Sequence, residues 1–412
     1  MKSICRKNKK KMKQTIRTFI AKIPLAKPLY CAVKNRCEGL RSRRAQDRLR
    51  KKQPILRQGS PECFESMPLR IDWFVTSHCN FRCSYCFRAG REYEKIFCTL
   101  EQVETAVKHL ASANRPAYQV NLIGGEPTTH PHLAEIITLL CHYLGDRLEQ
   151  LVITTNGSFS ESQMEAILKA SELVKMNLYI SIHLEYMNVE RVVELVKRYS
   201  SRTSLHIILL FHPEMVDKAT TVADALCDLR RDYPFDHSVN MLREPPDFDM
   251  LDSRYTQEHF NWKEKLMERL RKIKAEGPKM PENQQKIICQ KFFVERNVND
   301  SIVLEPRLSV SELGKRTGFR FTGMTCCAGT NVVRIRADGR VSGMVCGLDR
   351  PKYNIFEENP YLREDWIHGV QCTKNRCGCN INYRIPKFRS PAEAEKFIAE
   401  KKRLQKKLMG NN

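Results

Sequence analysis

No segment of this chain approaches the roughly eighteen uncharged apolar residues that a bilayer-spanning helix requires. A signal-peptide apolar region is missing too, because Lys22, Pro24, Lys27 and Pro28 interrupt the stretch where it would lie. There is no internal repeat, and low complexity is confined to a Lys/Arg-rich N-terminus. These absences argue against a membrane-spanning class and an exported disulfide framework, and they predict a soluble, cytoplasmic protein.

What the chain does have is 17 cysteines in 412 residues. In a reducing compartment, metal binding explains such a number better than disulfides. Cys141 and Cys227 sit in helix-like apolar patterns and read as small buried hydrophobes. Cys31, Cys37 and Cys63 are too irregularly spaced for a metal assignment. The others cluster.

The net charge of +23 is uneven. Residues 1–57 hold 20 Lys/Arg against Glu38 and Asp47, so most of the basicity belongs to an N-terminal extension. Within it, residues 13–30 interleave basic and apolar side chains. Disorder, contact with an anionic membrane surface, and contact with RNA are the open readings of this segment.

From Leu69 the chain alternates strand-like and helix-like segments. Strands are predicted over 69–75, 118–124, 150–155, 177–182, 205–211 and 238–243. Helices are predicted over 99–113, 132–143, 161–170, 189–199 and 218–229. Thr99 and Gln102 are placed for a capping box. This order predicts parallel pairing in a partial (β/α)6 TIM-like barrel, with chemistry on the loops after the strands. A polar helix follows near 260–276, and 331–345 reads as a hairpin turned at Asp338-Gly339. Ser390 and Pro391 start a basic terminal helix. The predicted organisation is a basic extension (1–62), a barrel core (66–245), a helical connector (246–300), a small cysteine-rich domain (301–385) and a basic C-terminal helix (386–412).

Cys79, Cys83 and Cys86 place three thiols on the loop after the first strand. Short spacings of this kind let one loop wrap an iron–sulfur cluster. No fourth cysteine follows at a matching distance, which leaves one iron open. A zinc site completed by His78 is the competing reading. Gly124-Gly125-Glu126-Pro127 ends the second strand: the glycines let backbone approach a ligand, and the glutamate can accept from an ammonium group. Residues 154–157 (TTNG) end the third strand, and the fourth carries Ser181 and His183.

The Cx3Cx2C triplet with Tyr85 before its last cysteine, followed by GGEP and TTNG on successive strand ends, resembles the radical S-adenosylmethionine (radical SAM) superfamily. The resemblance implies that Cys79, Cys83 and Cys86 hold a 4Fe–4S cluster whose open iron chelates S-adenosylmethionine. It implies that Glu126, Gly124 and Gly125 hold the methionine amino group, with Thr155, Asn156 and Ser181 near the rest of the cofactor and His183 a weaker candidate. It further implies reductive cleavage to a 5′-deoxyadenosyl radical, driven by a reductant such as flavodoxin or ferredoxin. The catalytic residues toward the substrate stay unassigned.

Cys326, Cys327, Cys346, Cys372, Cys377 and Cys379 lie in the last ninety residues. CAG (327–329), DGRV (338–341) and Cys346 resemble the opening of the SPASM/twitch domains that carry auxiliary clusters in many radical enzymes. The gap from Gly339 to Cys346 is longer than that pattern has, and the last three cysteines depart from its spacing. The resemblance implies one auxiliary cluster on Cys327, Cys346, Cys377 and Cys379, with Cys372 as the alternate ligand and structural zinc as the competing reading. The substrate implied is a peptide or protein. A small metabolite (sugar, lipid head group or cofactor precursor) or RNA is the alternative, and an electron carrier or sensor is the non-enzymatic one.

Overall fold

The computed structural model of the protein describes residues 55–59, 68–86, 95–244, 251–279, 292–377 and 381–410. The readings placed on residues 1–54, together with Cys63 and Cys379, lie outside these. Two compact units are distinguished: Met1–Leu56 with Glu295–Leu304, and Arg57–Val294 with Glu305–Asn412. The described part of the first is Ile55 and Leu56 with the tip of a hairpin over Phe292–Val298 and Ser301–Leu308, turned at Asn299 and Asp300 with left-handed backbone at both.

The second unit holds the barrel. Its strands are β1 (Leu69–Thr76), β2 (Tyr118–Gly124), β3 (Leu148–Thr155), β4 (Met176–His183), β5 (Ser204–Phe211) and β6 (Asp236–Met241). They pair in sequence order, and every pair is parallel. The helices are α1 (Leu100–Ser112), α2 (Leu133–Leu144), α3 (Glu161–Ala170), α4 (Val189–Tyr199) and α5 (Val216–Asp232), followed by α6 (Gln257–Glu276). The partial barrel expected from the sequence is therefore the fold observed.

Local sequence explains these elements. Thr99 caps α1 through the Gln102 capping box. Helix α4 turns Val192, Leu195, Val196 and Tyr199 inward at helical spacing, and Asn188 caps it by accepting from the Arg191 N–H. On the strands, alternate residues such as Leu69, Ile71, Trp73 and Val75 face the helices. The intervening positions Asp72, Asn121 and Thr154 face the lumen, where Asn121 donates to Asp72 (3.1 Å) and accepts from Thr154 (3.0 Å).

After α7 (Val310–Thr317), the remaining strands are β7 (Thr325–Ala328), β8 (Val332–Ile335), β9 (Arg340–Ser342), β10 (Tyr353–Asn354), β11 (His368–Gln371) and β12 (Lys387–Phe388), and α8 (Pro391–Gly410) follows. The predicted hairpin is β8–β9, with Gly339 at φ 81 in its turn. The sequence did not foretell that β8 adds in parallel to β1, pairing Arg334 with Asp72. Strands β11, β7 and β12 form a second, antiparallel sheet that continues to Arg57 and Gln58. No helix among the described residues is long and apolar enough to cross a membrane.

Candidate active site

The cysteine loop leaves the C-terminal end of β1, where a parallel barrel places its chemistry. Its backbone is docked on the end of β2: the Gly125 N–H donates to Thr76 O (3.0 Å) and the Glu126 N–H to His78 O (2.7 Å). This contact explains the two glycines. A Cβ at Gly124 would lie 2.2 Å from Thr76 O, and one at Gly125 would lie 2.0 Å from His78 O. The glycines thus permit a close approach to the cysteine loop, and both also line the cavity on which the cysteines open.

A second set of contacts comes from the end of β4. Glu185 accepts from the Ser84 N–H (3.0 Å) and bonds the Ser84 hydroxyl. The Tyr186 hydroxyl accepts from the Arg82 N–H (2.9 Å), and its ring stacks on Phe81 with centroids 4.4 Å apart. His183 Nδ1 lies 3.1 Å from both Cys83 Sγ and the Tyr85 hydroxyl. Glu185 and Tyr186 were missed from sequence; their signal is a charged and an aromatic residue directly after a strand end.

Burial sets the electrostatics. It pushes the Cys83 thiol up to about 12, aided by the Glu185 charge, and raises Cys79 as well. It lowers His183 to about 4, so the ring is neutral. Without metal these thiols hold their protons, and metal binding must release them.

The three cysteines open on a cavity of about 390 Å³, also lined by Phe74, Ile123, Glu126, Ser181, Leu210 and Leu242. Glu126 is 1% exposed. Its Oε1 accepts from the Thr128 N–H (3.0 Å), the Thr128 hydroxyl (2.6 Å) and the Thr155 hydroxyl (2.6 Å). Its Oε2 accepts from the Asn156 N–H (2.6 Å), which leaves that oxygen room for one further donor from the cavity. Burial raises the Glu126 carboxyl pKa and these bonds oppose the rise. Thr155 is committed to Glu126 and to the Gly157 N–H (3.0 Å). The Asn156 side chain bridges Asn80 and the Ser158 N–H. Thr155 and Asn156 therefore build the pocket wall, while Ser181 and His183 face the cavity.

The donor set suits a cluster. Three soft thiols face one cavity, and His78, the candidate fourth zinc ligand, has Nδ1 3.2 Å from the Thr129 hydroxyl. Among the described residues no three His, Cys, Asp or Glu side chains surround a single-ion position. In a cluster each of the three thiolates would take its own iron.

The C-terminal cysteines separate by strand alternation. Cys326 pairs in register with Val370 and Lys387. Its neighbour Cys327 points to the opposite face and joins the core with Phe388 and Ile398. The structure thus turns Cys326 and the expected ligand Cys327 to opposite faces of one strand.

This arrangement, a parallel partial barrel with three cysteines on the loop after its first strand and a buried glutamate after its second, is that of a radical SAM domain. Residues 73–226 match the sequence model of the Radical SAM superfamily, and this segment belongs to it. A GTP 3′,8-cyclase of Aquifex aeolicus (strain VF5) is 32% identical over 134 residues, covering 32% of this chain and 38% of that protein. A probable GTP 3′,8-cyclase of Pyrococcus horikoshii is 36% identical over 110 residues, covering 27% and 33%. The chain thus spans little more than a third of the length of these curated relatives. Among solved structures, anSMEcpe with bound AdoMet and Cp18Cys peptide aligns at 15% identity and a TM-score of 0.46, covering 84% of this chain and 100% of that one.

Proposed function

We propose that the protein is a radical SAM enzyme whose substrate is a peptide or protein. When bound, the cluster and S-adenosylmethionine supply the chemistry: one electron cleaves the sulfonium and yields a 5′-deoxyadenosyl radical that takes hydrogen from the substrate. Cys79, Cys83 and Cys86 hold the cluster. Glu126 would hold the methionine amino group, and Ser181, which lines the same cavity, would lie toward the remainder of the cofactor. The wall of Phe74, Ile123, Leu210 and Leu242 keeps water from the reacting centre. A reductant such as flavodoxin or ferredoxin supplies the electron.

The cavity's lining carries the substrate reading. The relatives are named for action on GTP, and a triphosphate requires cations. Among the described residues that line this cavity, Glu126 is the only Asp, Glu, Lys or Arg, and the rest of that wall is largely apolar. Where the cofactor leaves it open, that described surface would suit a peptide side chain better than a triphosphate. The competing reading, a small metabolite, is supported by the relatives' names. Two measurements separate them on the reconstituted, reduced enzyme: consumption of GTP, and hydrogen transfer from candidate peptides into 5′-deoxyadenosine. GTP turnover would remove the peptide reading.

A further inference from the structure

The imidazole that ends β4 meets the cysteine loop at a sulfur. His183 Nδ1 lies 3.1 Å from Cys83 Sγ and 3.1 Å from the Tyr85 hydroxyl. The ring is parallel to that of Tyr85 (interplanar angle 2°, centroids 6.0 Å apart) and edge-on to that of Phe81 (80°, 5.9 Å). The backbone is held as well: the His183 carbonyl accepts from the N–H groups of Tyr186 (2.9 Å) and Met187 (2.9 Å). The turn so formed carries Glu185 and Tyr186, which bond the loop amides at Ser84 and Arg82. The approach of Nδ1 to the sulfur is thus fixed by contacts that involve neither atom.

This contact changes character when the sulfur becomes a metal ligand. A thiol can donate to a bare Nδ1, whereas a thiolate can only accept. With Cys83 as a thiolate, a bare Nδ1 at 3.1 Å would set one lone pair against another, so this nitrogen must carry the proton. The requirement is the same whether or not the second ring nitrogen is protonated. The Tyr85 hydroxyl can rotate to accept from the same N–H. Cys83 is buried and the described wall around it is largely apolar, which strengthens such a bond.

We propose that His183 is a positioning residue that donates from Nδ1 to the cluster-bound sulfur of Cys83 and thereby raises the cluster's reduction potential. An electron added to a cluster increases the negative charge on its sulfurs, and an N–H aimed at one of them favours the reduced form. The sequence resemblance offers His183 only as a weaker contact to the cofactor; the geometry gives it a defined partner, and the effect a defined sign. The proposal rests on the cluster assignment at Cys79, Cys83 and Cys86 and is tested so that the two can fail separately.

The experiment is a redox titration of the full-length protein, reconstituted anaerobically and free of S-adenosylmethionine, with the reduced cluster read by electron spin resonance. His183→Leu should shift the midpoint potential to a more negative value at unchanged iron content. His183→Asn sets an amide N–H the same number of bonds from the backbone as Nδ1 and should recover most of the wild-type potential. Should His183→Leu fail to hold iron, His183→Gln is read in its place; its amide stands one bond too far out, and the same negative shift is expected. A wild-type potential in the variant without the donor, a shift to more positive values, or an Asn variant no closer to wild type than the Leu variant overturns the proposal and leaves the cluster assignment standing. Loss of iron in both His183→Leu and His183→Gln also overturns it, by making the residue structural. Wild-type protein without an iron–sulfur signal overturns the assignment itself, and the proposal with it.

Discussion

A side chain at Gly125 has nowhere to go: its Cβ would stand 2.0 Å from the carbonyl oxygen of His78 and 2.8 Å from the Cys79 nitrogen. The second strand's glycine pair and the first strand's cysteine loop are therefore one mechanical unit, and two motifs far apart in the chain depend on each other's backbone.

Gly125→Ala should displace the cysteine loop. Backbone on both sides prevents relief by a rotamer change, so the variant should lose roughly 1–3 kcal/mol of stability, as overpacked sites do. Its iron content after reconstitution should fall as well. Denaturant unfolding of the metal-free protein and iron analysis of the reconstituted protein check both parts.

Glu126→Gln should weaken S-adenosylmethionine binding and also destabilise the apoprotein. Four donors converge on this carboxylate, and an amide presents an N–H to some of them. Leaving such donors unmatched in a buried site costs about 1–3 kcal/mol. Calorimetric titration with S-adenosylmethionine and a thermal melt are the measurements. An unchanged melt with lost binding would confine the residue to ligand contact.

Glu185→Ala and Tyr186→Phe loosen the cysteine loop without touching a thiol. Each removes a hydrogen bond to a loop amide, at Ser84 and Arg82 respectively. The loss should be about 1 kcal/mol for the tyrosine and more for the charged acceptor. Iron should then leave faster to a chelator in both variants, with Glu185→Ala the more labile; stopped-flow chelation reads this directly.

Much of this was legible in the sequence because it is local. The six strand periods, the Thr99 capping box and helix Val189–Tyr199 are written in short-range patterns, and each appears where those patterns put it. The contacts that are not local were not legible. Nothing near Val332 announces that it will pair in parallel with Arg70. The division between Cys326 and Cys327 follows from strand alternation, but β7 is four residues long and lacks a period of its own. Glu185 and Tyr186 meet the cysteine loop about a hundred residues away in the chain. Thr155, read from sequence as a residue near the cofactor, donates its hydroxyl to Glu126 across about thirty residues of chain.

The metal-free protein should lose stability in mild acid through His237. Burial lowers this ring to about 4, with Asp236 opposing the shift. Unfolded, the ring takes up its proton near 6.5, so between 6.5 and 4 acid favours the unfolded chain. The contribution is complete above that window and disappears as pH falls through it, amounting to about 3 kcal/mol at most. His237→Gln should flatten the pH dependence of urea unfolding in that range. His183 titrates in the same sense and will leave a residual slope.

The account rests on a cluster at Cys79, Cys83 and Cys86 that opens S-adenosylmethionine to one-electron cleavage. The most direct test is anaerobic reconstitution followed by dithionite and S-adenosylmethionine, with 5′-deoxyadenosine measured by chromatography. The wild-type protein should form it and Cys83→Ala should not. Wild-type protein that binds zinc and no iron, or that takes up iron yet forms no 5′-deoxyadenosine, would contradict the central claim.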